Sequence, residues 1–184
     1  MTPRRSGLAF LAAGLGFGVA MALLKGEGAG TRNVLGNLSA PWLVLPFLAG
    51  RRRSTAATAA ALGAGTCVFS FVGFYAAAGI AFGMVNSHTI AYDLGFVASG
   101  AVAGPLFGAL GFWWRGRRSL LAGCAVGLAF VGEPFAQVWV WRLYGASVDA
   151  TSVFRHPAVL GLEVALGLVL CGWALRRRGT APAA

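Results

Sequence analysis

Apolar residues run along the chain in long blocks, and most charged residues are confined to the gaps between them. Six blocks are legible, at about residues 7–24, 38–50, 55–84, 90–114, 120–144 and 157–175. A membrane-spanning α-helix takes about 20 apolar residues, so the pattern predicts an all-α polytopic membrane protein. It would be a six-helix transmembrane bundle forming one domain over residues 1–184. The second block is short: its apolar run is Pro41–Gly50 with Pro46 inside it. It either borrows Val34–Ala40, tilts little, or breaks at the proline, which removes a helix hydrogen bond. The third and fifth blocks exceed what a bilayer needs, which allows tilt or protrusion.

Basic residues orient the bundle. Arg4 and Arg5 precede the first block, Arg51–Arg53 follow the second, Arg115, Arg117 and Arg118 follow the fourth, and Arg176–Arg178 follow the sixth. If all six blocks span, eleven basic residues share one side, against Lys25, Arg32, Arg142 and Arg155 on the other. The positive-inside rule then makes both termini cytoplasmic. Arginine supplies fourteen of the fifteen basic residues, beside heavy use of Ala and Gly. That usage points to a GC-rich genome, and so to the plasma membrane of a bacterium. The first block follows twin arginines and carries Ala20 and Ala22 near a possible cleavage point. Its apolar run is longer than the 7–15 residues of a signal peptide, so we read it as a retained helix.

Composition narrows the classes further. Of 184 residues, 58% are hydrophobic and 11% charged, with a mean hydropathy of +0.73; soluble domains carry about 25% charge. This excludes a soluble globular protein, a disordered chain and a water-exposed catalytic domain on an anchor. The net charge of +10 and pI of 11.3 would suit nucleic acid, but no soluble face interleaves basic and aromatic residues. No nucleic-acid partner is expected; the arginine clusters instead suit anionic membrane lipid. Cys67, Cys124 and Cys171 are isolated within apolar blocks, and His88 and His156 lack metal-ligand spacing, so no metal and no cofactor is expected. Gly14, Gly16 and Gly18, and again Gly26, Gly28 and Gly30, imitate a dinucleotide fingerprint without the strand and turn it requires. Ala12, Gly16 and Ala20 form one small-residue line along the first helix, and Gly14, Gly18 and Ala22 another. Either line lets a neighbouring helix approach closely, in this chain or in a membrane-protein partner.

The acidic minority carries the candidate chemistry. Glu27, Asp93, Glu133, Asp149 and Glu163 are the only acids, and none falls in a basic loop. Counting about 1.5 Å per residue from the basic ends puts Glu133 about 21 Å up its helix, Glu163 about 18 Å and Asp93 about 31 Å. An ionised carboxylate in hydrocarbon costs about 2.5–3.5 kcal/mol on insertion scales, so such groups pair, protonate or line a polar cavity. Glu133, Gln137 and Trp141 recur every four residues on one face, with Phe130 a turn below, and Pro134 frees the Phe130 carbonyl. Tyr75, Tyr92 and Arg142 fall near the same level. If Arg142, Arg155 or Arg32 reaches a glutamate, the result is a structural ion pair. If none does, a carboxyl keeps its proton and is a neutral acid able to donate it. Glu133, Glu163 and Asp93 are therefore candidate catalytic acids. Phe130, Gln137, Trp141, Tyr75, Tyr92 and Arg142 are candidate substrate contacts.

Leu38-Ser39-Ala40-Pro41-Trp42-Leu43 ending in Arg51–Arg53, Gly104-Pro105 through Trp113-Trp114-Arg115, Gly132-Glu133 and Leu162-Glu163 together resemble a family of small six-helix bacterial membrane proteins of unknown function. That resemblance implies the fold and no chemistry. In layout the chain is also similar to small integral-membrane terpene cyclases of meroterpenoid biosynthesis. This implies an isomerase that protonates a prenylated, farnesyl-bearing lipophilic substrate, with aromatic faces such as Phe130, Trp141 and Phe135 stabilising the cation. It is similar in size and topology to the substrate-binding component of energy-coupling-factor vitamin transporters as well. Such a protein would bind solute under the Lys25–Asn37 loop and dock to a partner through its first helix. A non-catalytic accessory subunit is the remaining expectation.

Overall fold

A computed structural model describes residues 3–27, 30–83, 87–117, 119–143 and 156–179. Within these, the side chains of residues 3–5, 87–96, 116–117, 138–143 and 178–179 are not described. Every described element is an α-helix: α1 (Pro3–Lys25), α2 (Thr31–Gly36), α3 (Pro41–Gly50), α4 (Ala56–Phe82), α5 (Ser87–Arg117), α6 (Leu120–Leu143) and α7 (Pro157–Gly179). Five of them, α1, α4, α5, α6 and α7, contain stretches long and apolar enough to cross a membrane. The sixth member of the bundle is split into α2 and α3, separated by Asn37–Ala40. The break lies before Pro41, not at Pro46, which sits inside α3. At about 1.5 Å per residue, α3 is about 15 Å long, half of a bilayer core of about 30 Å.

The bundle wears its apolar residues outside. Leu8, Ile80, Val102, Leu121, Phe135 and Leu162 are all well exposed, while Thr66, Ser70, Glu133 and Glu163 are buried. In lipid, which solvates Leu as well as a protein core does, packing between helices falls to small residues. Gly14 and Gly18 of α1 lie against the Thr66 and Ser70 carbonyls of α4, and Gly73 of α4 lies against the Leu15 carbonyl. Gly63 meets Gly104 between α4 and α5, Gly50 meets Gly108 between α3 and α5, and Gly127 meets Gly167 between α6 and α7. A β-carbon at any of these would strike backbone. The Gly14–Gly18 line expected for close approach is thus used inside the chain, whereas Gly16 faces open space and Ala12 and Ala20 are exposed.

The buried hydroxyls are satisfied locally: Thr66 Oγ1 donates to the Leu62 carbonyl and Ser70 Oγ to the Thr66 carbonyl. Helix α4 starts at Thr55, whose Oγ1 accepts the Thr58 N–H, and stops at Gly83, which takes the left-handed conformation at φ 62°.

The arginine clusters gather at one end. Arg115 Nη1 donates to the Arg51 carbonyl at 3.2 Å, and the Arg53 guanidinium lies against Gly7 of α1. Burial, with Arg177, Arg52 and Arg115 nearby, lowers the pKa of Arg51 from its ordinary value. Helices α3, α5 and α7 therefore bring basic residues to a common face, as their spacing in the sequence predicts.

Candidate functional site

Helix α3 begins inside the bundle, where its first N–H groups have no water to bind. In hydrocarbon each such group must find a protein partner, and every one here does. Pro41 has no N–H. The Trp42 and Leu43 N–H groups donate to the Ser39 and Ala40 carbonyls, both at 3.1 Å. The remaining two donors, on Ser39 and Ala40, bind the Glu133 carboxyl of α6 across the bundle: Ser39 N to Oε1 at 2.5 Å and Ala40 N to Oε2 at 2.6 Å. Gln137 Nε2, one helical turn above Glu133, adds a third bond to Oε1 at 3.1 Å. Two short backbone bonds, one to each oxygen, at the positive end of a helix suit a carboxylate anion.

Glu133 thus meets backbone amides in place of the basic partner considered from sequence. Of the candidate cations, Arg32 donates instead to the Leu23 carbonyl at 3.1 Å, and the Arg142 side chain and Arg155 lie outside the described residues.

Glu163 of α7 is the second member of the site. It is 3% exposed, and among the described residues no N–H or hydroxyl donor reaches either carboxyl oxygen. The Glu133 carboxyl lies beside it, close enough for the two acids to hydrogen-bond through a shared proton. The pairing follows from the Gly127–Gly167 crossing, since Glu163 lies one turn from Gly167 and the close approach of α6 and α7 carries both acids to one level. Beneath them Phe130 is buried in a core cluster with Ala40, Phe47, Trp114, Val126 and Ala174.

The other sequence candidates disperse. Tyr75 belongs to a separate aromatic group on α1, α3 and α4, in which Trp42 stacks on Phe71 at 4.9 Å and meets Phe17 and Phe74 edge-on. Tyr75 packs on Phe71 and Phe74 within that group. Phe135, expected to face a cation, points outward at 70% exposure. The side chains of Asp93, Tyr92, Trp141 and Arg142 lie outside the described residues. Among the described residues, no three of His, Cys, Asp and Glu cluster as metal ligands.

Sequence reasoning missed the amides of Ser39 and Ala40. The available signal was Pro41 after a polar break, the mark of a helix starting within the bilayer. At the end opposite the arginines, an open cavity of about 340 Å³ is lined by Lys25, Gly26, Glu27, Gly30, Thr31, Arg32 and Asn33. Thr31 Oγ1 lies 3.3 Å from His156 Nδ1 and ties α2 to the start of α7.

No curated protein and no solved structure matches the chain. Over its whole length, residues 1–184, it matches a sequence family, and it belongs to that family, described as a family of unknown function (DUF6518).

Proposed function

We propose that this protein is an acid-initiated membrane cyclase acting on a prenylated lipophilic substrate, with Glu163 as the acid. The observation that carries the reading is a buried carboxyl that no N–H or hydroxyl donor among the described residues reaches, beside a second carboxyl already bound by three N–H donors. Two adjacent carboxyls in a medium of low dielectric do not both ionise. The helix terminus favours the charge on Glu133, which leaves the proton on Glu163.

The chemistry needs no co-reactant. The Glu163 O–H bond breaks and its proton adds to a terminal alkene carbon of the prenyl chain, leaving a carboxylate and a tertiary cation. An internal alkene supplies its electron pair to close the ring. Loss of a proton from carbon back to Glu163 forms the product alkene and restores the acid, so product and substrate are isomers. Glu133, held as an anion, is a positioning residue that keeps the proton on Glu163 between turnovers.

The basic end, by the positive-inside rule, is cytoplasmic, and the membrane is a bacterial plasma membrane.

The test incubates membranes containing the protein with farnesylated aromatic acceptors and follows products by mass spectrometry. The expected result is a product of unchanged mass and altered retention, absent from Glu163→Gln membranes. Equal turnover by the Glu163→Gln protein would sink the assignment.

A second reading, solute binding for uptake, is favoured by the cavity around Lys25, Glu27 and Arg32 and by the outward Ala12–Gly16–Ala20 line. In that case α1 docks to a transporter partner. Gly16→Leu would then release the partner during purification while leaving the cyclase reaction untouched.

A further inference from the structure

The basic end carries a second site, independent of the carboxyl pair. A cavity of about 430 Å³ opens there between Phe10 of α1, Leu48 of α3, Arg51 and Arg52 after α3, and Arg115 of α5. That volume lies within the range of about 300–1,000 Å³ usual for small-ligand sites. Three of its five walls are arginines, and the described acids lie elsewhere: Glu27 after α1, Glu133 in α6 and Glu163 in α7. Arg51 is pressed upon by Arg52, Arg115 and Arg177, a concentration of like charge that an anion would relieve. The hydrogen bond from Arg115 to the Arg51 carbonyl fixes α5 to the end of α3 and holds the Arg115 guanidinium at the rim beside the Arg51 backbone.

The remaining walls identify the kind of anion. Phe10 and Leu48 are apolar, and Leu48 is exposed on the outside of the bundle. A free anion has no use for such walls. A lipid has, because its acyl chains leave the headgroup along the protein's apolar flank.

We infer that the Arg51–Arg52–Arg115 cavity binds the phosphodiester of an anionic phospholipid, with the acyl chains running over Leu48 and Phe10. Arginine forks match phosphate oxygens in pairs, which a lysine cannot do. The bound lipid would bridge α1, α3 and α5 where the short α3 ends.

The test uses the full-length protein in nanodiscs of mixed phosphatidylglycerol and phosphatidylcholine, released into the gas phase for native mass spectrometry. Each variant is first shown by its melting temperature to be folded. The wild-type protein is expected to retain phosphatidylglycerol preferentially. Arg52→Gln and Arg115→Gln should each lower that retention about fivefold, and Arg52→Lys should fall between Gln and wild type. Arg176→Gln, which removes a charge from the same end without touching the cavity, should leave it unchanged. Equal retention of the two lipids by the wild type, or an equal loss in Arg176→Gln, overturns the site. Displacement of phosphatidylglycerol by inorganic phosphate overturns lipid as its occupant.

Discussion

Glu133 Oε2 accepts the Ala40 N–H at 2.6 Å, so a side chain on α6 closes the N-terminus of α3, a helix 93 residues away in the chain. An N-terminal cap normally comes from the residue at the helix start. Here that residue is Ala40, which has nothing to offer, and Ser39 makes no side-chain cap. The acid arrives by tertiary packing, and its charge is stabilised by the helix it closes.

Removing that acid should therefore cost stability. Glu133→Ala leaves the Ser39 and Ala40 N–H groups without partners in hydrocarbon, at about 1–3 kcal/mol for each orphaned donor. Glu133→Gln should cost less, because one amide oxygen still accepts. Scanning fluorimetry in detergent should rank the melting temperatures as wild type, then Gln, then Ala; an unchanged melting temperature in Glu133→Ala would refute the cap.

Glu163 should behave in the opposite way. No N–H or hydroxyl donor among the described residues reaches its oxygens, so Glu163→Met removes a desolvated polar group, gives up only the contact with Glu133 and keeps the volume. Its melting temperature should equal or exceed that of wild type, while any product formed by the wild-type protein disappears. A large loss of stability would mean that Glu163 is structural.

The two small-residue lines of α1 give a paired test. A β-carbon at Gly18 overlaps the Ser70 carbonyl and the Phe74 amide, so Gly18→Ala should drive α1 from α4 at about 1–3 kcal/mol. Gly16 meets nothing within 4 Å, and Gly16→Ala should stabilise by about 0.5–1 kcal/mol through helix propensity. Melting temperatures of the two variants should move in opposite directions.

Orientation can be read directly. In a background with Cys67, Cys124 and Cys171 replaced by Ala, Glu27→Cys should react with an impermeant maleimide in intact cells. Arg52→Cys should react only after the membrane is opened, and the reverse pattern would invert the topology.

Chain chemistry by itself determined the bundle. Apolar blocks of about 20 residues in a chain with 11% charge leave no solvent but lipid. Arginine clusters at the ends of alternate blocks then set which ends meet, and Arg51, Arg115 and Arg177 do come together. The burial of Glu133 and Glu163 was legible too, since a carboxyl placed midway along an apolar helix has nowhere to go but inward, and the i,i+4 spacing put Glu133 and Gln137 on one face, where the structure joins them by a hydrogen bond. What each acid does was decided only by tertiary structure. The Ser39 and Ala40 amides carry no side-chain signature, and only the packing of α3 against its neighbours aims them at α6. The Gly127–Gly167 crossing sets α7 beside α6 at the level where Glu163 faces Glu133 without a donor of its own. Helical periodicity places a residue on a face. Which neighbour that face meets depends on the close approach of backbones at glycine, a property of pairs of helices that one helix does not encode.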